Sequence, residues 1–282
     1  MSLLPFVDTH LHLVYRDRLS YPWLSDVPPL NQDFSLRRYQ SEALRCGVTD
    51  AIHMEVDVAP EDIEAETRNV EALAKEPGSL LRGAISACRP ESAEFPAFLE
   101  RQLANPFVKG FRRVLHVVPN ETSQSATFRA NLRRLSGTGL PFDLCLRSEQ
   151  LGIAIALADA APDVQFVLDH CGNPGIEARA EHPWRESIAE LARRPNVAGK
   201  ISGIITNAGA ETWSAEDLRP YVEHMIESFG WDRIVWGSDW PVCTLAGTLS
   251  NWVAATHALT RGCGESERER LFSANARRIW RL

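Results

Sequence analysis

The chain has 282 residues, 44% of them hydrophobic, with a formal net charge of −7 and a pI near 5.7. That length and apolar content suit one large core and exclude a disordered chain. The acidic balance argues against nucleic acid and anionic membranes as partners, and fits a small neutral or locally steered substrate. No stretch reaches the roughly 18 apolar residues of a membrane span. The first residues lack a basic region followed by a long apolar run, so the expected location is the cytoplasm. Cys46, Cys88, Cys145, Cys171, Cys243 and Cys263 contain no C-x-x-C spacing and read as free thiols rather than a disulfide framework or thiolate metal site.

Short apolar runs rich in β-branched residues lie at 5–8, 49–56, 81–87, 108–115, 142–146, 165–169, 198–202 and 233–236. They read as eight strands, about 30 residues apart, the length of one βα unit. The first runs straight into Asp8-Thr9-His10-Leu11-His12. The Pro-rich segment 15–34, carrying Trp23, reads as a loop over the mouth of the fold. Ile63, Val70 and Leu73 share one helical face, as do Phe128, Leu132 and Leu135. The clearest helix carries Leu218, Val222, Met225, Ile226 and Phe229, with Ser214 and Asp217 as a capping box and Gly230 as its stop. A last helix carries Leu271, Phe272, Ile279 and Trp280. Alternating strands and helices predict a parallel α/β sheet, and eight units most simply close into a single (β/α)8 TIM barrel over 1–282. An open doubly wound sheet would show a Gly-rich turn after the first strand, and here there is none.

In such a barrel the chemistry sits at the C-terminal strand ends. The first strand delivers His10 and His12, which point the same way on an extended chain. The sixth delivers His170 and the eighth Asp239, just before Trp240-Pro241. Imidazoles and a carboxylate together supply what water-driven attack on a carbonyl needs. On the fourth strand, at least one of Arg112 and Arg113 should face inward, where an unpaired cation is costly, so it should meet a carboxylate or substrate oxygens. Lys200 on the seventh strand has the same standing. His116 is a further candidate, and Trp23 and Trp240 could stack on an apolar sugar face. His53 and Glu55 divide between a structural pair and a cation-holding role. His182, His224 and His257 read as surface or packing residues.

The motifs Lys-Gly-Phe-Arg-Arg (109–113), Phe-Asp-Leu-Cys (142–145), Val-Leu-Asp-His-Cys-Gly-Asn-Pro (167–174), Lys-Ile-Ser-Gly (200–203) and Gly-Ser-Asp-Trp-Pro-Val (237–242) resemble the amidohydrolase superfamily. Together with the H-x-H they are most similar to its sugar-lactonase branch, which holds L-fuconolactonases, L-rhamnono-lactonases and 2-pyrone-4,6-dicarboxylate lactonases. The resemblance implies a carboxylic ester hydrolase of carbohydrate catabolism that opens an aldonolactone, L-fuconolactone or a close relative. It implies Asp239 as general base, with His10, His12 and Arg112 or Arg113 on the carbonyl oxygen, and His170 orienting water or protonating the leaving alcohol. Metal-dependent relatives carry a histidine at the end of strand five, where this chain has Leu144-Cys145-Leu146-Arg147. A binuclear centre is therefore not expected, and no cofactor is expected to be required. One zinc on His10, His12, Glu55 and Asp239 remains compatible. The rivals are a zinc-dependent decarboxylase or other metal-dependent amidohydrolase, and a non-catalytic sugar-acid binder. A homo-oligomer is allowed by the sequence but not specified.

Overall fold

The computed structural model describes residues 4–209 and 213–282. Eight strands form one sheet in sequential order: β1 (Phe6–Leu11), β2 (Val48–Met54), β3 (Leu81–Ala87), β4 (Val108–Val114), β5 (Phe142–Cys145), β6 (Phe166–Leu168), β7 (Val197–Ile201) and β8 (Ile234–Trp236). Every neighbouring pair is parallel. The first and last strands meet at a nearly closed seam. There the His12 amide donates to the Trp240 carbonyl (2.8 Å), and the Asp239 amide to the His10 carbonyl (2.8 Å). The fold is the expected (β/α)8 barrel, with all eight strands close to their expected positions.

Helices connect the strands and cover the sheet from outside. The helix Ala215–Phe229 carries the expected apolar face and starts at the Ser214–Asp217 capping box. Gly230 takes φ 68° at its end. The C-terminal segment is less regular than its periodicity suggests. It runs as Glu265–Glu269, a π-helical stretch Arg270–Ala274 and Asn275–Trp280. Ala276, Ile279 and Trp280 pack with Val7, Ile52, Met54, Ile85, Val167, Ala198 and Val235 in an apolar cluster separate from the main core. This cluster plugs the barrel interior, and the Trp280 ring lies 5.5 Å from Lys200 Nζ.

β1 runs three residues further than its apolar run, and its register with β2 shifts between Asp8 and Leu11. That shift turns His10 inward although Val7, an odd number of residues earlier, is also inside. β6 stops at Leu168. His170 (φ 54°) and Cys171 (φ 53°) then take left-handed backbone, so Asp169 and His170 both face the barrel. No helix of the described residues is long and apolar enough to cross a membrane. All six cysteines are free.

Candidate active site

A cavity of about 290 Å³ opens at the C-terminal ends of the strands. Its floor carries His12, Arg112, His116, Cys145, His170 and Asp239. Val14, with Trp23, Leu24 and Leu30 from the segment 15–34, builds an apolar wall, continued by Val56, Val114, Val117, Pro241 and Val242. Trp23 is pinned by its indole N–H to the Val56 carbonyl (2.8 Å). Asp57, Asn173, Gly203 and Thr206 complete the lining.

Asp239 is the hub. Its Oδ1 lies 3.4 Å from His12 Nε2 and 3.7 Å from His10 Nε2. The His10 ring centroid is 4.9 Å from that of His12 and 4.4 Å from that of His170. Burial pushes the Asp239 carboxyl up to about 6, against the lowering pull of His170 and Arg112. Burial likewise lowers His12 to about 3, and moves His10 and His170 downward, so all three imidazoles are neutral bases at pH 7. Gly203 (φ +66°) makes room for the pair: a Cβ there would come within 2.5 Å of His170 Nδ1 and 2.8 Å of Asp239 Oδ2.

The His12 tautomer follows from its hydrogen bond. His12 Nδ1 is 2.9 Å from the Met54 carbonyl, so it carries the proton and leaves Nε2 as a bare acceptor. Arg112 Nη1 reaches His10 Nε2 (3.3 Å), while His10 Nδ1 lies 3.4 Å from both Lys200 Nζ and Asp169 Oδ1, so the ring is held between two cations and a carboxylate. His12 therefore has no free N–H to offer a carbonyl oxygen, and both His10 nitrogens face buried partners, which corrects the role expected for both. The donor is Arg112. Its Nε and Nη2 are committed to the Glu55 carboxylate (2.5 Å) and carbonyl (2.7 Å), and Nη1 faces inward with longer contacts to His10 Nε2 (3.3 Å) and Asp169 Oδ2 (3.4 Å). His170 Nδ1 contacts the Ser202 hydroxyl (3.0 Å). When that hydroxyl donates, His170 Nε2–H is free to donate a hydrogen bond into the cavity.

Below the cavity lies a charged layer. Lys200 Nζ bridges Asp143 (2.6 Å) and Asp169 (2.8 Å), all three fully buried. Burial alone would lower the lysine, but the two carboxylates outweigh it and raise it. Burial raises Asp143, whereas Lys200 and His10 overcome burial at Asp169 and hold it ionised. Asp143 and Asp169 had no role in the sequence reading, although strand alternation with Cys145 and Val167 places both inside.

Four expectations need correction. Lys200 is sealed beneath His10 and cannot touch a substrate. Arg113 alternates outward from Arg112 and pairs with Glu91 (2.9 Å). Trp240 is fully buried against Phe34 and Tyr39, away from the cavity. Glu55 is occupied by Arg112 and the Asp57 amide (2.8 Å), so it is not free to bind a metal. His53 pairs with Glu66 (3.3 Å) in a structural role. Trp23, Arg112, His116, His12, His170 and Asp239 do line one cavity.

Among the described residues, His10, His170 and Asp239 place one ligand atom each within 4.8 Å of one another. Two neutral imidazoles and a carboxylate suit a divalent ion in donor type and spacing. Arg112 competes for the His10 lone pair. This set replaces the one expected from sequence, with His170 in place of His12 and Glu55.

The amidohydrolase family model matches residues 7–282. The chain belongs to the amidohydrolase family. The Sinorhizobium fredii protein y4mH is 29% identical over the full length of both chains. An L-fucono-1,5-lactonase of Burkholderia ambifaria is 29% identical over 68% of each chain. Among solved structures, a Burkholderia multivorans amidohydrolase with bound zinc superposes with TM-score 0.87 over 99% of each chain, at 23% identity. The expectation that this amidohydrolase requires no metal gains no support, since its donor set could hold one zinc.

Proposed function

We propose that this amidohydrolase opens a neutral sugar-acid lactone by attack of water on the ester carbonyl. The observation that carries the reading is the cavity's charge. Among the described lining residues the only lysine or arginine is Arg112, and its charge is already matched by Glu55. A decarboxylase, or a lactonase for a dicarboxylate, must hold a substrate carboxylate, and nothing in this lining offers a spare cation to do so. An uncharged aldonolactone needs none, and its anionic product is not retained. The size agrees: 290 Å³ lies at the lower end of ligand pockets and suits one sugar ring. The lactonase name of the Burkholderia ambifaria relative supports the same class, with L-fuconolactone or a near relative as substrate.

Asp239 takes a proton from the attacking water, with His12 Nε2 as a second acceptor beside it. Arg112 Nη1 is the donor nearest to where the oxyanion develops, in a buried site where such a contact is strong. The proton then held by Asp239 passes to the departing ring oxygen, with His170 Nε2–H as a hydrogen-bond donor to that oxygen. Glu55 and Met54 fix the orientation of Arg112 and His12. A divalent ion on His10, His170 and Asp239 would supply carbonyl polarisation or a more acidic water.

The test is acid release from a panel of aldonolactones, followed with a pH indicator, with and without chelator. Acid release by the native protein is expected, and Asp239→Asn should lower it by about 10²–10⁴-fold. No acid from any lactone sinks the reading. Loss on chelation that zinc restores would assign the ion a required role.

A further inference from the structure

Among the described residues of the cavity lining, Asp57 is the one acidic residue that the proposed chemistry leaves unused. It follows β2 in left-handed backbone (φ 46°), a conformation that costs a non-glycine residue energy and is kept where the surroundings enforce it. What enforces it is the catalytic cation's own partner. The Asp57 amide donates to Glu55 Oε2 (2.8 Å), while Glu55 Oε1 takes Arg112 Nε (2.5 Å). One carboxylate thus sets both Arg112 and the direction of Asp57. The Asp57 Oδ1 is 3.4 Å from Arg89 Nη2, and no donor among the described residues takes Oδ2. Two other polar groups of the lining are committed. The Thr206 hydroxyl donates to the Gly203 carbonyl (2.6 Å), and the Asn173 amide nitrogen to the Leu146 carbonyl (2.6 Å).

An ionised carboxylate only accepts hydrogen bonds, so its complement is a ligand rich in donors. We propose that Asp57 reads the hydroxyl groups of the lactone ring, a vicinal pair donating to its carboxylate, and so selects polyhydroxylated lactones over bare ones. The inference rests on the lactonase reading and names a specificity residue for it. Charge-assisted hydrogen bonds in a half-buried site are strong enough to set such a preference.

The test compares kcat/KM for a 1,5-aldonolactone and for δ-valerolactone, which has no hydroxyls, in the native protein, Asp57→Asn and Asp57→Gly. Asparagine and glycine both accept left-handed backbone, so neither variant adds strain. The native preference for the hydroxylated lactone should fall on the order of tenfold to a hundredfold in Asp57→Gly, mainly through KM, and by less in Asp57→Asn. A ratio unchanged in both variants, or a loss equal for both lactones, overturns the proposal. If the native protein opens neither lactone, the lactonase reading fails and this inference with it.

Discussion

Asp239 sits where its charge is costly, and that cost is what suits it to the base role proposed for it. Burial holds its carboxyl at about 6, so it is ionised at neutral pH yet far more basic than an exposed aspartate. kcat/KM should therefore fall as pH drops through about 6, with no inflection from His12, which stays neutral down to about 3. A pH–rate profile with its acid limb near 4 would contradict this assignment. The same shift has a stability consequence of opposite sense. Between pH about 4 and about 6 the folded chain keeps a proton that the unfolded chain has released, so this group lowers stability as pH rises through that window. Gly203 belongs to the same scale. Gly203→Ala would force a methyl group into His170 and Asp239 on backbone that disfavours it. We expect at least about a tenfold loss of kcat, measured on protein whose circular dichroism confirms the fold.

The strands and their seams decide which side chains become chemistry. Asp8, fully buried, holds the β1–β8 seam. It accepts from the His10 amide (3.1 Å) and Ser238 amide (2.8 Å), and from the Tyr39 hydroxyl (2.6 Å). This one residue joins the strand that carries the two histidines to the loop that carries Asp239. Asp8→Ala would leave three buried donors unpaired. Urea denaturation should show a loss of about 3 kcal/mol or more; a loss under about 1 kcal/mol would mean that the seam closes without it. β4 shows the same logic through alternation. Arg112 faces the cavity and Arg113 faces away, so two chemically equal neighbours have unrelated roles.

Across the whole molecule, charge is arranged in layers. The Trp280 plug and its apolar cluster lie at one end of the barrel interior. Lys200, Asp143 and Asp169 form a middle layer, one ammonium between two carboxylates, sealed from solvent. Among the described residues, the cavity above presents one compensated cation and two carboxylates, Asp57 and Asp239. A ligand with a carboxylate therefore enters against net negative charge. Lactones that carry an added carboxylate should be turned over at least about tenfold less efficiently than their neutral counterparts, since an unpaired buried charge is costly. A comparison of kcat/KM across such a pair checks this, and equal values would remove the charge argument for a neutral substrate.

The eight-fold alternation of strand and helix was legible because it is a local pattern: β-branched runs, helical periodicity and capping residues each act within a few turns of chain. His10, His12, His170 and Asp239 were legible for the same reason, as each stands at the end of such a run. Three outcomes needed the closed barrel. Lys200 and Trp240 look like substrate contacts until the sheet closes and buries one under His10 and the other behind the seam. The roles of His10 and His12 depended on which atoms lie opposite their rings, the Met54 carbonyl and the Arg112 guanidinium, 42 and 102 residues away in sequence. Asp57 carried no local signal, because its left-handed turn is enforced by a carboxylate that is itself placed by an arginine two strands away. Local sequence set the elements and the inventory of acids and bases. Long-range packing in a low-dielectric interior set which of them meet, which are protonated and which face a ligand.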